Sequence, residues 1–268
     1  MRRVAIQLCV AAFWTLAAAF LGTAPAIAAD LAPGGSAGVR TVVDGDTVII
    51  DPPLDGADQI RLVGIQAPKL PLGRPNFPTW PLAGQSKRAL EQLVLGRDVT
   101  LGYGGRRKDR HGRLLAHLHV GDTWVQGEML RAGMARVYSF ADNRALVAEM
   151  LALEREARAA RRGIWADPFY VVRNPDSLER DLDSFQLVEG RVADVAVVRG
   201  RAYLNFGANW RTDFTIALAP AAVRLFAREG IDIRGFKGTR VRVRGWVKEY
   251  NGPMIETTHP EQIEVLSR

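Results

Sequence analysis

The amino-acid sequence predicts an α+β fold: a small five-stranded barrel with three helices, followed by a second small β-domain. Three observations lead to this prediction. Five β-branched stretches alternate with three stretches of helical periodicity between residues 39 and 162. From Phe185 onward the pattern returns to short β-like stretches. The chain has 268 residues, 47% of them hydrophobic, which is enough apolar material for two packed cores.

The first 29 residues have the layout of an export signal. A pair of arginines precedes an apolar run over residues 4–21, and Ala26-x-Ala28 supplies the small residues of a signal-peptidase site. We therefore expect residues 1–29 to be a signal peptide and the remainder to be periplasmic or secreted. The alternative is an uncleaved membrane anchor, because about 18 apolar residues just span a bilayer.

The charge of the chain favours an anionic partner. Its 36 Lys and Arg residues against 29 Asp and Glu residues give +7, which falls to +5 when the two leader arginines are removed. A basic chain is compatible with phosphate-rich partners or an anionic membrane surface. The sole cysteine, Cys9, lies in the leader, so we expect neither a disulfide nor a cysteine metal site in the remainder.

The elements of the first domain follow from local patterns. Val39–Val43 and Thr47–Asp51 flank the turn Asp44-Gly45-Asp46 and predict a hairpin, and Gln59–Gln66 predicts a third strand. The proline-rich residues 71–81 predict an irregular loop. The other predicted elements are strands over 98–103, 114–120 and 134–139 and helices over 82–95, 123–132 and 143–162, the last with Asn143 as N-cap.

Five motifs occur in a fixed order along residues 39–166. A single one of them is weak, because Asp-Gly-Asp usually marks only a turn. The five are Val43-Asp44-Gly45-Asp46-Thr47, Arg61-Leu62-Val63-Gly64-Ile65-x-x-Pro68, Asp109-Arg110-His111-Gly112-Arg113, Gly127-Glu128-Met129-Leu130-x-x-Gly133 and Arg162-Gly163-Ile164-Trp165. In this order they resemble the staphylococcal-nuclease-like (thermonuclease) family.

The resemblance implies a five-stranded barrel of the OB type with three helices, and calcium-dependent cleavage of DNA and RNA phosphodiesters. It places Arg61 and Arg113 as the catalytic arginines, whose charge stabilises the charge that gathers on the phosphate oxygens. It places calcium on Asp46, on Gln66 and on the main-chain carbonyl of Ala67, since calcium takes hard oxygen ligands. Ca²⁺ is thus the cofactor, and nucleic acid the partner, that the resemblance implies.

Two positions depart from the family pattern. Gln66 replaces the second calcium aspartate, which removes one negative charge from the metal site. Lys69 stands where the family has the glutamate that acts as general base, and an ammonium cannot accept a proton at neutral pH. We therefore expect hydrolysis that is weak or altered and is carried by arginine electrostatics. A second interpretation has Lys69 bind the phosphate directly as a third catalytic residue, which would make the site independent of metal.

The loop between the fourth and fifth strands is the densest basic stretch of the chain. Arg106, Arg107, Lys108 and Arg110 suit contact with a phosphate backbone. The neighbouring His111 suits stacking on a nucleotide or a hydrogen bond to it. We therefore predict that these five residues bind nucleic acid. The alternative is a solvated hairpin tip without a ligand.

The remainder of the chain predicts a linker and a second barrel. Residues 167–184 are rich in Pro, Asp and Arg, and 185–268 predict an OB-like β-domain. In the run Arg240–Val247, alternation places arginines on one strand face and valines on the other. Modules of this kind bind single strands by stacking bases on aromatic side chains. The aromatic candidates are Tyr203, Phe206, Trp210, Trp246 and Tyr250, and the alternative role for each is to fill the core.

Together these observations predict domains over 1–29, 38–166, 167–184 and 185–268 and favour an exported, nuclease-like phosphodiesterase that acts on DNA or RNA. Two alternatives stay open, a non-catalytic nucleic-acid-binding protein and an envelope scaffold that binds other proteins. We expect no small-molecule cofactor, and contact with a membrane only if the leader is not cleaved.

Overall fold

Two hydrophobic cores form along the chain. The computed structural model describes residues 31–267, so the predicted signal peptide lies outside the described residues. One cluster of buried apolar side chains falls between Ala37 and Leu151, and the other between Leu178 and Ile263. None of the helices in the described part of the chain is long and apolar enough to cross a membrane.

The first core lies inside a closed barrel. Its strands pair in the ring β1–β2–β3–β6–β5–β1, in which only the β3–β6 pair is parallel. Two short pairs, β4–β8 and β6–β7, are added outside the ring. The strands are β1 (Ala32–Asp44), β2 (Thr47–Leu54), β3 (Ala57–Leu62), β4 (Ile65–Gln66), β5 (Asp98–Tyr103), β6 (Leu114–Val120), β7 (Thr123–Trp124) and β8 (Arg136–Val137).

The hairpin predicted around residues 44–46 is present and is packed tightly against a helix. The Asp44 carboxylate accepts a hydrogen bond from the Asp46 main-chain N–H at 3.1 Å, which closes the turn between β1 and β2. A Cβ atom at Gly45 would lie 2.0 Å from the Ser86 hydroxyl on helix α1 (Ala83–Val94), so only glycine fits there. The close contact fixes both aspartates relative to the helix.

All three helices of the first barrel are shorter than predicted, and the N-termini of the second and third differ most. Helix α2 is Val125–Arg131, because Thr123 and Trp124 pair with β6 as a strand instead. Helix α3 is Val147–Ala159 and does not begin at Asn143. The N-cap prediction for Asn143 is therefore wrong: its amide N–H₂ donates to the main-chain oxygen of Arg106 at 2.7 Å and holds the basic loop instead.

The third strand also differs from its prediction. It ends at Leu62, because Gly64 adopts a left-handed conformation with φ +81° and turns the chain. The residues beyond this turn, Ile65 and Gln66, pair with β8 as the separate strand β4. This break is what brings the main-chain carbonyl of Ile65 back toward the end of β3.

The second core lies inside a ring of the same connectivity. Its order is β9/β10–β11–β12–β14–β13–β9, again with one parallel pair, β12–β14. Two residues separate β9 from β10, so these two act as one bent strand. The elements are β9 (Ser184–Arg191), β10 (Asp194–Val198), β11 (Arg201–Asn205), β12 (Thr215–Leu218), α4 (Pro220–Arg228), β13 (Arg240–Glu249), β14 (Pro253–Thr257) and β15 (Ile263–Ser267). The α+β fold class with two successive small β-barrels is thereby confirmed.

The segment between the barrels packs against both. It forms short 3₁₀ turns, and Tyr170 and Leu178 are buried within it. The Tyr170 hydroxyl donates to the main-chain oxygen of Pro81 at 2.8 Å, while Leu178 belongs to the second core. The connection is therefore held by side-chain contacts along much of its length.

A buried ionic cluster joins the two barrels. Arg244 of β13 is 1% exposed and lies 2.9 Å from the carboxylate of Glu154 on helix α3, which is itself fully buried. The same guanidinium pairs with Glu264 at 2.7 Å and donates to the main-chain oxygen of Val137. Burial opposes ionisation of Glu154, but Arg244 and Arg158 hold the pKa of this carboxyl below its usual value.

The predicted alternation along β13 is correct, and its arginines are engaged in ion pairs with glutamates. Val241 and Val243 lie in the core. Arg240 and Arg242 pair with Glu189 at 2.8 and 2.5 Å, and Arg244 pairs across the barrel interface. These arginines therefore do not form an open basic groove.

Candidate active site

A cleft of about 400 Å³ opens at one end of the first barrel. Three segments form its walls: the end of β3 with the following turn, the basic loop before β6, and the loop between β8 and α3. The lining residues are Arg61, Val63, Gly64, Ile65, Arg106, Asp109, Arg110, His111, Arg113, Leu115, Tyr138, Phe140, Asp142 and Asn143. Both predicted catalytic arginines thus line the same cleft.

Arg61 is held rigidly by the backbone around it. Its Nη1 donates to the main-chain oxygen of Leu62 at 2.9 Å, and its Nη2 to that of Ile65 at 2.7 Å. The turn at Gly64 brings the second of these carbonyls into reach. Because a guanidinium has five N–H donors, these bonds fix its position and leave donors for a phosphate.

Arg113 is fixed by a tight turn. The Asp109 carboxylate accepts the main-chain N–H groups of His111 and Arg113 at 2.8 and 3.0 Å, and also accepts from Arg113 Nε at 2.7 Å. Burial opposes ionisation, yet the hydrogen bond from Arg113 holds the pKa of Asp109 below its usual value. The arginine side chain is still 29% exposed, so it faces the cleft as a positioned cation.

Lys69 lies directly on the aspartate that the family pattern assigns to the metal. Its ammonium Nζ donates to both oxygens of the fully buried Asp46, at 2.8 and 2.6 Å, and lies 3.3 Å from Asp44. Burial opposes ionisation of Asp46, but Arg61 and Lys69 hold the pKa of Asp46 far below its usual value. Burial and the neighbouring Asp46 raise the pKa of Asp44. One ammonium thus balances two buried carboxyl groups.

Gln66 and Ala67 each hydrogen-bond a neighbouring side chain of the protein. The Gln66 side-chain oxygen accepts two hydrogen bonds from Arg136, at 3.0 and 2.7 Å. The main-chain N–H of Ala67 donates to Asp46 at 2.7 Å. Burial lowers the pKa of Arg136 to about 10, so this guanidinium stays charged at neutral pH.

These residues do not fit a calcium ion. Calcium takes six to eight oxygen ligands at about 2.3–2.6 Å, and Asp46 already has both oxygens on Lys69 while Gln66 is bound to Arg136. Within residues 31–267 no group of three or more His, Cys, Asp or Glu side chains is arranged to hold a metal. The ammonium of Lys69 occupies the position that a divalent cation would need.

The predicted nucleic-acid-binding residues separate into two groups. Arg106, Arg110 and His111 line the cleft. Arg107 and Lys108 do not: the Arg107 guanidinium lies 4.7 Å from the Tyr103 ring centroid, and the Lys108 ammonium donates to the main-chain oxygen of Asp55 at 2.5 Å. The basic loop thus presents three of the five predicted residues to the cleft.

Four residues of this region were not predicted from the sequence as site residues. Asp44 shares the ammonium with Asp46, and its signal was the first carboxylate of the Asp-Gly-Asp motif itself. Tyr138 and Phe140 form an aromatic wall with ring centroids 4.9 Å apart, and their signal was two aromatic residues spaced by one. Arg136 gave no signal, because its partner Gln66 lies 70 residues earlier in the chain.

Comparisons with known proteins agree with this geometry. Residues 59–167 match the family model described as Staphylococcal nuclease homologue. The chain is 31% identical to a thermonuclease of Staphylococcus intermedius over 128 residues, which is 47% of this chain and 74% of that protein. It is 34% identical to an uncharacterized endonuclease of Escherichia coli O157:H7 over 132 residues, 48% of this chain and 76% of that protein. It is 30% identical to endonuclease YncB of Bacillus subtilis over 132 residues, 48% of this chain and 61% of that protein.

Proposed function

This chain belongs to the staphylococcal nuclease family, and we propose that it hydrolyses DNA or RNA phosphodiesters in the cleft between Arg61 and Arg113 without a calcium ion. Its thermonuclease and endonuclease relatives point to a hydrolytic nuclease. The absence of a calcium requirement rests on Lys69, whose ammonium lies 2.6–2.8 Å from both oxygens of Asp46.

Substrate binding follows from the charges that line the cleft. Arg61 and Arg113 clamp the scissile phosphate, and Arg106 and Arg110 contact the neighbouring phosphates. The wall of Tyr138 and Phe140 takes the attached base or sugar. Hydrolysis gains most from the two arginines, because they neutralise the charge that develops on the phosphate oxygens.

Lys69 is a positioning residue in this proposal. It keeps Asp46 ionised, and Asp46 lies 3.3 Å from the Arg61 guanidinium. The lysine therefore acts on the phosphate through Arg61. Its positive charge beside Asp46 takes the place of the charge that a bound metal ion would supply there. It does not line the cleft, so it makes no direct contact with the substrate in this proposal.

His111 is the side chain best placed to move a proton. Its imidazole is exposed in the cleft beside Arg113, and its Nε2 accepts a hydrogen bond from Arg110 Nε at 3.1 Å, which must open before that nitrogen takes a proton from water. We propose that His111 accepts the proton of the attacking water. The new bond forms between water oxygen and phosphorus, the P–O ester bond breaks, and the leaving oxygen takes a proton from solvent.

A second candidate function is nucleic-acid binding without cleavage. It is favoured by the state of the carboxylates that line the cleft: Asp109 lies 2.7 Å from Arg113, and Asp142 lies 3.8 Å from Arg106. Neither is positioned as a free general base. We also propose that the protein is exported, on the pattern of residues 1–29, which the N-terminal residue of the purified protein tests.

Replacing Arg113 by alanine should lower the rate of single-stranded DNA cleavage about 10²- to 10³-fold, because one donor to the transition-state charge is lost. Wild-type cleavage should be the same with calcium and with excess chelator. The control is Arg40→Ala, an exposed arginine of β1 outside the cleft, which should keep the wild-type rate.

Three outcomes of this assay are decisive. Calcium stimulation of the wild type would contradict the metal-free proposal. Arg113-dependent binding without cleavage would favour the second candidate. Absence of any binding at low salt would leave only the scaffold hypothesis.

Replacing His111 by alanine should lower the cleavage rate about 10²-fold, since general-base catalysis is lost. Substrate affinity, measured on a non-cleavable phosphorothioate strand, should change little. If affinity falls as much as the cleavage rate does, His111 only binds the nucleotide.

A further inference from the structure

A second cleft, of about 470 Å³, opens on the other barrel. It lies over β10, β11 and β12, between the β11–β12 loop and the β13–β14 turn. Three aromatic side chains, Tyr203, Trp210 and Tyr250, line it together with the amides of Asn205 and Asn251. None of these residues belongs to the cleft around Arg61.

The aromatic residues of this cleft face solvent. Trp210 is 50% exposed and Tyr250 is 63% exposed, and they come from two different loops on opposite margins of the cleft. The other predicted stacking candidates are engaged elsewhere. Phe206 packs at a tilt against Phe214 of the core, with ring centroids 5.0 Å apart, and the indole N–H of Trp246 donates to Tyr138 at 3.0 Å. Large aromatic side chains left exposed around one concavity indicate a binding surface.

The charge around the cleft is complementary to a polyanion. Arg211 lies over the Trp210 ring, 4.4 Å from its centroid, and Arg199 follows the lining residue Val198. Among the ion pairs of residues 31–267, neither arginine has a carboxylate partner. The one acidic lining residue, Asp194, is neutralised by Lys237 at 2.8 Å.

The position of the cleft in the barrel points to the same ligand. The ring β9/β10–β11–β12–β14–β13 has one parallel pair between its third and fifth strands, which is the OB connectivity. In OB barrels, the face of the second and third strands and the loop between the fourth and fifth bind oligonucleotides. The cleft occupies this face, with Tyr203 on the second strand and Tyr250 on that loop.

We propose that this aromatic cleft binds single-stranded nucleic acid, stacking bases on Trp210, Tyr250 and Tyr203 while Arg199 and Arg211 contact phosphates. The exposed amide of Asn251 hydrogen-bonds a base edge. The choice of nucleic acid as ligand is supported by the proposed function, and the second cleft supplies a holding site for the strand that the first cleft cleaves. A protein ligand is the competing occupant.

The test uses the full chain and a fluorescein-labelled oligodeoxythymidine of about 15 nucleotides, measured by fluorescence anisotropy. All variants carry Arg113→Ala, which slows cleavage about 10²- to 10³-fold and weakens the first cleft. Adding Trp210→Ala should weaken binding about 10-fold, and adding Tyr250→Ala as well about 10²-fold, because each stacked base loses its platform. The control is Leu95→Ala, a residue of the first barrel that is 47% exposed and lies outside both clefts.

The affinity of the Trp210→Ala, Tyr250→Ala chain for the oligonucleotide decides between the two ligands. Affinity that is unchanged in the Trp210→Ala, Tyr250→Ala chain overturns the proposal and leaves a protein ligand as the occupant. Since both side chains are exposed, thermal unfolding should stay at the parent value, which separates lost binding from lost folding. Loss of binding together with an inactive wild type supports the second cleft and overturns only the nuclease activity.

Discussion

Replacing Lys69 by methionine should lower the free energy of unfolding by about 3 kcal/mol at neutral pH and create a response to calcium that the wild type lacks. The variant leaves Asp46 fully buried and Asp44 nearly so without their shared ammonium. Removing one partner of a buried ion pair typically costs about 3–5 kcal/mol, and the lower end applies because Arg61 remains beside Asp46. Calcium added to the variant should enter the vacated position and restore part of this stability.

The measurement is urea denaturation with calcium and with chelator. The control is Lys87→Met on α1, whose 3.9 Å pair with Glu91 is only partly buried and should contribute little. The dependence on pH gives an independent check. The pKa of Asp46 is lowered by folding, so its contribution is present above the ordinary carboxyl range and disappears as the pH falls below about 4. Wild type and variant should therefore converge in acid; an unchanged gap would mean that the lysine acts through packing alone.

Replacing Arg244 by methionine should lower the free energy of unfolding by about 4 kcal/mol. The substitution keeps much of the apolar volume but leaves Glu154 without its main partner, and this carboxylate is 0% exposed. Adding Glu154→Gln should recover part of the loss, because the uncompensated charge is then absent. Arg201→Met is the matched control: its pair with Glu256 is exposed and 3.7 Å long, so its loss should cost less than about 1 kcal/mol.

Equilibrium unfolding in urea measures the effect of the Arg244→Met substitution. A loss of less than about 1 kcal/mol would mean that the ionic cluster adds no net stability over an apolar contact. A single transition that splits into two would mean that the cluster couples the unfolding of the barrels. We expect the free energy of unfolding to fall by the full amount of about 4 kcal/mol in the single variant. The free energy of unfolding of the Glu154→Gln, Arg244→Met double variant should lie between those of the single variant and the wild type.

Features determined by neighbours in sequence were predictable. The hairpin at Asp44–Asp46 and the turn of Asp109 with Arg113 close through hydrogen bonds within four residues, so their motifs contain all the information needed. The arginine and valine faces of β13 follow from the two-residue repeat of a strand. In each case the residues that determine the feature lie within one short segment of the chain.

Features determined by partners far along the chain were not predictable. Gln66 retains an oxygen suited to a cation, and only the arrival of Arg136 shows that this oxygen is already bound. Lys69 invited an interpretation as a direct phosphate ligand, whereas its ammonium donates to both oxygens of Asp46. The helix predicted from Asn143 begins at Val147 because that amide is drawn to the basic loop, a tertiary contact outside local propensity.

The ionic cluster between the barrels also limits how such a chain can evolve by domain exchange. A different module grafted after helix α3 would have to deliver a cation to the carboxylate of Glu154 and an aromatic face to Arg136, which Phe185 now supplies at 4.7 Å. A module without them would leave the charges of Glu154 and Arg136 without these partners at the junction. Recombination in this lineage is thus expected to move the two barrels as one heritable unit, while the loops around each cleft diversify freely.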